Sequence, residues 1–280
     1  MTQPSSPEHM SSPRVKERRP TKHSVLPIIV AAARAQLQMT AHNIEDLMPV
    51  LTIPLLTLVS TAILVHAGRI DLADHALVAS LLMTVGQMGL FVGSEVVARD
   101  RNLQTLELAV ASPGPYVVVL ATRILLLTAV GLIGFVEGWL IAWWVFDIRI
   151  AVEWPGLFSL TIVATALAIT GTCLITAAFA SLLRNPRTFQ HALNGPLYLL
   201  GGVLVPITYL PDWLQPFCRI VFFSWSADLL RGSFRAAAPE QVGFRLSMIV
   251  ALGVASGLIG VVLLRRVFDH LRREGTLGLT

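Results

Sequence analysis

The residues of this chain that could do chemistry are few and widely spaced. None of its seven histidines stands in a His-Glu-x-x-His pair or at the spacing of a metal site, and no Gly-x-Ser-x-Gly elbow is present. Its two lysines, Lys16 and Lys22, do not follow a glycine-rich turn, so neither can complete a phosphate-binding loop. The sequence therefore favours neither a hydrolase nor a metalloenzyme, and it predicts no metal, no bound cofactor and no ATP site on this chain.

Glu137 is a candidate for function because it lies inside a long apolar stretch. A charged side chain in the middle of a membrane costs about 2.5–3.5 kcal/mol on insertion scales, so it needs a role or a partner. In a functional role, Glu137 would line the translocation cavity or pair with an arginine of the outer side. In a structural role, it would form a structural ion pair or extend its carboxylate toward the interface. Arg123 and Glu95 lie nearer the inner boundary, where we expect them to anchor their helices at the interface.

The elements that must position these residues are apolar stretches long enough to cross a membrane. Hydrophobic residues make up 54% of the chain and charged residues 14%, and the mean hydropathy is +0.69. This composition is typical of an integral membrane protein. Because about 20 apolar residues cross the hydrocarbon core, we predict six transmembrane helices, at 48–67, 75–98, 115–146, 155–183, 188–210 and 246–264.

The distribution of basic residues predicts the orientation of these spans. Six spans place both termini on one side, and that side carries most of the 21 lysines and arginines. By the positive-inside rule, both termini are predicted to be cytoplasmic in a multi-pass protein of the cytoplasmic (inner) membrane. The arginines assigned to the outer side are Arg69, Arg149, Arg219, Arg231, Arg235 and Arg245.

The predicted fold is therefore all-α and integral to the membrane, with four regions. Residues 1–24 are expected to form a disordered cytoplasmic tail, and 25–47 an amphipathic helix along the inner interface. Residues 48–266 form the transmembrane domain, and 267–280 a second cytoplasmic tail. The pairs Gly89/Gly93, Gly134/Gly138 and Gly253/Gly257 have GxxxG spacing, and we expect them to bring helices close together within one subunit.

Two segments between the spans have patterns of their own. Residues 102–111 carry Leu103, Leu106 and Val110 at helical spacing and end at a Pro-Gly-Pro stop, which predicts a short amphipathic cytoplasmic helix. Residues 213–227 are strongly apolar, yet 15 helical residues cover only about 22 Å of a core that is about 30 Å thick. We therefore predict an outer re-entrant element before the last span.

Two sequence patterns resemble those of type-2 ABC exporter permeases, in particular the daunorubicin-resistance-like drug-export branch. The family's cytoplasmic pattern is an acidic residue, three variable positions and then Gly-Thr-Leu-Glu. It is matched by Asp100 and by Thr105-Leu106-Glu107, with Gln104 in place of the glycine. The likeness covers about residues 25–268, and the order of the motifs relative to the spans makes it fairly specific.

The family's second pattern lies around the outer element. It consists of a glycine-containing span, a proline, Leu-Pro-x-Trp-Leu and a closing Leu-Arg. The matching residues are Gly201, Gly202, Pro206, Leu210-Pro211-Asp212-Trp213-Leu214 and Leu230-Arg231. A proline usually found between the last two of these motifs is missing, and this chain has Ser224-Trp225-Ser226 there.

The resemblance implies a half-transporter whose ATP and Mg²⁺ are bound by a partner. Two such permeases, identical or sibling, would assemble with two separately encoded nucleotide-binding ATPase subunits, and the helix at 102–111 would dock in a cleft of the ATPase. The residues expected to make this coupling contact are Asp100, Arg101, Leu103, Thr105, Leu106, Glu107 and Val110. Those expected at the translocation pathway or outer gate are Glu137, Pro206, Pro211, Trp213, Phe217, Phe222 and Trp225.

The function implied is export of a hydrophobic or amphipathic compound, such as a drug, a lipid-like metabolite or a glycolipid. Three alternatives remain open at this point. An ion-coupled secondary transporter would use Glu137 as its coupling carboxylate, and a polysaccharide or glycolipid carrier would belong to the same family. Aromatic side chains usually grip sugars, and they make up only 8% of this chain, which favours a lipophilic substrate. A scaffold protein without transport activity is a third alternative.

Overall fold

The computed structural model describes residues 25–69, 72–102, 116–148, 150–183, 186–237 and 239–274. Within these ranges all regular structure is helical and no strand occurs, which confirms the all-α prediction for the described part of the chain. The predicted helix at 102–111 lies almost wholly outside the described residues, as do the predicted tail at 1–24 and residues 275–280 of the second predicted tail. The helices in chain order are α1 (Val25–His42), α2 (Ile44–His66), α3 (Ala73–Gly86), α4 (Gly93–Asn102), α5 (Tyr116–Gly131), α6 (Ile133–Phe146), α7 (Pro155–Leu182), α8 (Pro186–Leu200), α9 (Gln215–Cys218), α10 (Phe222–Ser233) and α11 (Val242–Glu274).

Five stretches of the described chain are long and apolar enough to cross a membrane. They are Asp46–His66, Ala73–Asp100, Tyr116–Phe146, Pro155–Leu182 and Val242–Val267. In the second stretch the π-helical segment Gln87–Val92 joins α3 to α4, and in the third α5 and α6 meet at Leu132. These stretches correspond to five of the six predicted spans.

The sixth predicted span, 188–210, contains the shorter helix α8. Its 15 residues cover about 22 Å, and the chain turns at Gly201 and Gly202. Gly202 has φ +63°, and a Cβ there would lie 2.8 Å from the Ile207 side chain, so both conformation and space require glycine. Tyr198 is fully buried, and its hydroxyl donates to the Met83 carbonyl at 3.2 Å. The count of six spans therefore stays a prediction.

The closest helix packing is between α7 and α11. A Cβ added at Gly171 would collide with the Gly253 carbonyl and lie 2.9 Å from the Gly257 nitrogen. Likewise, a Cβ at Gly253 would lie 2.7 Å from the Ala168 Cα. The pair Gly253/Gly257 thus packs within one subunit, as expected, because helices lacking side chains at the crossing can approach backbone to backbone.

The outer element consists of two helices that pack differently. The short α9 leads to α10, whose residues Phe223, Ser226 and Leu230 are buried. The Thr165 hydroxyl donates to the Ser226 hydroxyl at 2.8 Å, which joins α10 to α7. Because α10 also packs against α3 and α11, it is held inside the bundle; whether it enters the membrane as a re-entrant element stays a prediction.

Candidate functional site

A buried ion pair lies where α4 ends and α5 begins. The Arg123 guanidinium donates through Nη1 to Asp100 Oδ2 at 2.7 Å, and both residues are buried. Its Nε donates to Gln36 Oε1, also at 2.7 Å. A charge in such surroundings is tolerated only when it is paired and hydrogen-bonded, so this pairing fixes α1, α4 and α5 relative to one another.

Weaker contacts extend this group, which we call the Arg123 cluster and which comprises Gln36, Thr40, Asp100, Tyr116 and Arg123. The Gln36 amide donates to the Thr40 hydroxyl at 3.1 Å, and Tyr116 donates its phenolic proton to Asp100 at 3.3 Å. Gln36 is fully buried although it is polar. The cluster is therefore a connected polar network in an apolar bundle, and each member orients the next.

A second ion pair lies one residue away on α4. Arg99 donates from Nη1 and Nη2 to the two carboxylate oxygens of Asp46, at 2.8 and 2.7 Å. Asp46 is buried at the start of the first span. Such a bidentate pair constrains orientation as well as distance, so α4 is also fixed to α2.

The two ion pairs flank the predicted coupling segment. Arg99 and Asp100 lie just before residues 103–115, and Tyr116 follows them directly. Among the predicted coupling residues, Asp100 belongs to the cluster, whereas the Arg101 side chain is outside the described part of the chain. The other five predicted coupling residues also fall outside it: Leu103, Thr105, Leu106, Glu107 and Val110.

Sequence reasoning placed Arg123 at the interface and missed the cluster. The structure instead buries Arg123, with contacts to residues 23 and 87 positions away in the chain. No local pattern encodes such distances. The available indication was that Asp100 and Arg123 lie on either side of the short connection between the predicted spans 75–98 and 115–146.

At the opposite end of α2 and α3, a cavity of about 450 Å³ opens beside the turn that follows Gly202. Its lining is mostly aliphatic and includes one arginine, Arg69. The apolar side chains include Leu56, Ile63, Leu64, Leu72, Leu204 and Val205. We call this space the apolar cavity; its volume falls within the usual range for small-molecule sites.

A second space of about 590 Å³ adjoins the apolar cavity, and we call it the arginine vestibule. The two share four lining residues, so they lie side by side. The shared residues are Leu72, His75, Pro206 and Tyr209. The charged residues that line the vestibule are Arg219, Arg231, Arg235, Arg245, Asp228 and Glu240.

Arg231 is the buried member of the vestibule. Its Nη2 donates to the carbonyls of Gly202 and Val203, each at 2.8 Å, which holds the turn after α8. Its Nε and Nη1 are buried and have no hydrogen-bond partner in the described structure. Burial lowers the pKa of Arg231, against the opposing influence of nearby Asp228 and Asp74.

Arg219 has its own partners within the outer element. It forms an ion pair with Asp228 at 2.7 Å, and its guanidinium lies 4.6 Å from the centre of the Trp225 ring. The Trp225 indole nitrogen donates to the Arg219 carbonyl at 2.9 Å. These contacts hold Arg219 against α10, where the stacked cation adds a favourable interaction.

The residues predicted for the pathway are dispersed. Of the six between positions 206 and 225, Pro206 lines both spaces, Phe222 is buried beside Phe223, and Trp225 packs on Arg219. Three lie exposed on the surface: Pro211, Trp213 and Phe217. Their roles at a gate stay predictions.

Glu137, the seventh predicted pathway residue, lies on α6. It is half-buried and makes no hydrogen bond or ion pair with any residue that the structure describes. It lines neither the apolar cavity nor the arginine vestibule. Glu137 is therefore not paired with any of the outer-side arginines that the structure describes.

Residues 28–234 match a protein family described as ABC-2 type transporter. The match includes the Arg123 cluster, the predicted coupling segment and α10. No curated protein shows a significant match to the chain.

Proposed function

Because the chain belongs to the ABC-2 type transporter family, we propose that it is the permease subunit of an exporter driven by a separate ATPase. Permeases of this family generally work with ATPase subunits and dimerise. The proposed complex contains two nucleotide-binding subunits and a second permease, in the cytoplasmic membrane with both termini inside. Its substrate is a hydrophobic or amphipathic compound that is moved outward.

The Arg123 cluster is the observation that carries this proposal. Residues 102–111 would dock on the ATPase, and both ends of the connection that contains them lead into the cluster or its neighbour Arg99. A displacement of the docked segment would act on α4 and α5, and through Gln36 on α1. The buried pair would transmit the motion because rupture of such a pair costs about 3–5 kcal/mol.

The apolar cavity supports the substrate class. Its aliphatic lining suits an apolar group, and it lies at the end of the bundle remote from the Arg123 cluster. In the proposed cycle, ATP binding closes the ATPase dimer, the cluster moves α1, α4 and α5 together, and the spans open outward. This chain supplies the pathway and the partner supplies the energy.

Replacement of one apolar coupling residue tests the proposal. Leu106→Asp is expected to abolish export and substrate-stimulated ATPase activity of the reconstituted complex, because a carboxylate cannot be buried in an apolar cleft. Leu106→Met, which nearly conserves volume, is expected to retain both. Export at the unaltered rate in Leu106→Asp would remove the coupling role from this segment.

A further inference from the structure

The apolar cavity and the arginine vestibule differ in chemistry although they lie side by side. One is lined mostly by aliphatic side chains, and the other contains four arginines but two carboxylates. A compound occupying both would have an apolar part near Leu56 and Leu204 and a polar part beyond Pro206 and Tyr209, which belong to both linings. The chemistry of the two adjoining linings therefore suits an amphiphile.

The charges of the vestibule favour an anionic head group. Asp228 already forms an ion pair with Arg219. Arg235 and Arg245 form no ion pair with another residue of the described chain. Positive charges that line one concave space raise the local concentration of anions. An anion entering the vestibule would meet the guanidinium groups of Arg231, Arg235 and Arg245, with Glu240 as the one carboxylate of its described lining outside the Arg219 ion pair.

Arg231 provides a second, independent observation. It is 5% exposed, and two of its nitrogen donors, Nε and Nη1, have no partner among the described residues. Buried charged donors in native proteins are normally satisfied by an acceptor. Arg231 also lines the vestibule, so an anion bound there would compensate its charge, and a small shift of the side chain would bring these donors to the oxygen atoms of the anion.

We infer that the arginine vestibule binds the anionic head group of an amphiphile whose apolar tail occupies the apolar cavity. The head group is a carboxylate, phosphate or sulfonate, since these groups accept two hydrogen bonds from a guanidinium fork. The inference rests on the proposed function, because it narrows the class of exported compounds to negatively charged amphiphiles. Binding itself requires neither ATP nor the partner.

The test measures binding to the full chain in nanodiscs of neutral phosphatidylcholine. The probe is 11-(dansylamino)undecanoic acid, and its methyl ester has the same tail without the charge. After subtraction of the signal from empty discs, we expect the acid to bind at least about tenfold more tightly than the ester. Equal affinity for acid and ester would overturn the inference.

Replacement of Arg235 and Arg245 together provides the decisive variant. Arg231→Gln removes the contacts that hold Gly202 and Val203, so it risks unfolding the turn. The double variant Arg235→Gln/Arg245→Gln leaves those contacts intact, and we expect it to abolish the preference for the acid. The matched control Arg265→Gln removes an exposed charge of α11 far along the helix, and an equal loss of preference in that control would contradict a specific site.

Competition identifies the source of the ligand. Displacement of the probe by phosphatidylglycerol in the disc would indicate a membrane lipid, and displacement by dodecyl phosphate alone would indicate a compound that enters from water. Both results support the anion site. If the acid binds as expected while Leu106→Asp exports normally, the proposed coupling fails alone; if acid and ester bind equally while Leu106→Asp is inactive, only this inference fails.

Discussion

The pair formed by Arg123 and Asp100 differs from an ordinary surface ion pair. An exposed pair contributes at most about 1 kcal/mol, whereas loss of one partner from a buried pair leaves an uncompensated charge and costs about 3–5 kcal/mol. Here the guanidinium also donates to Gln36, so three helices depend on its position. One arginine thus determines how the helices beside the predicted coupling segment are arranged.

Substitutions in this pair should separate its contribution from that of a surface charge. Asp100→Asn is expected to destabilise the chain by about 3 kcal/mol, because Arg123 would stay charged and buried without a carboxylate. Arg34→Gln, an exposed position of α1, is expected to change stability by no more than about 0.5 kcal/mol. The measurement is the fraction of folded protein after heating in one detergent, and equal loss in both variants would show that the pair contributes nothing.

At the scale of elements, α7 and α11 pack through glycine rather than through side chains. The hydroxyls of Thr172 and Ser256 are also joined, at 3.2 Å, across the same contact. In lipid the helices gain little from burying apolar surface, so close packing and interhelical hydrogen bonds must stabilise the crossing. Most of the remaining surface of α11 is exposed and apolar, as expected of a helix that faces lipid.

Two glycines of α11 allow a matched test of this packing. Alanine is a better helix former than glycine by about 1 kcal/mol, so Gly243→Ala, where a Cβ has nothing within 4 Å, should be neutral or stabilising. Gly253→Ala should destabilise the protein, since its Cβ would lie 2.7 Å from the Ala168 Cα. Thermal stability of the two purified variants measures the difference, and the same shift in both would disprove backbone contact at Gly253.

On the scale of the whole molecule, the main question is which energy source drives transport: ATP hydrolysis on a partner subunit or an ion gradient through this chain. The family assignment makes this chain the membrane part of an ABC-2 transporter. Glu137, the carboxylate that an ion-coupled mechanism would need, is separate from both cavities. These observations favour ATP hydrolysis on the partner over proton coupling through this chain.

Transport in inside-out vesicles distinguishes the two energy sources. With ATP maintained, we expect a protonophore to leave export unchanged, and we expect Glu137→Gln to export at nearly the normal rate because the carboxylate carries no coupled proton. Replacement of the phosphate-binding lysine of the partner ATPase should abolish export. Collapse of export with the protonophore, together with an inactive Glu137→Gln variant, would instead support ion coupling.

Most of the helices could be predicted because their causes are local. A run of about 20 apolar residues must satisfy its own backbone in lipid and therefore forms a helix. The exception was 188–210, where apolar character continues past the point at which α8 ends. Hydropathy contains no information on the left-handed conformation of Gly202. Nor does it show that Arg231 donates hydrogen bonds to the carbonyls of the turn.

The sequence by itself determined the membrane character of the chain, its helical class and the absence of a phosphate-binding loop, because these follow from composition and short patterns. The tertiary structure alone decided which charges meet. Arg123 reaches Gln36 and Asp100 across 87 and 23 positions, and Arg231 lies in a vestibule assembled from distant segments. In an apolar bundle a charge must find its partner wherever packing brings one, and that partner is not fixed by distance along the chain.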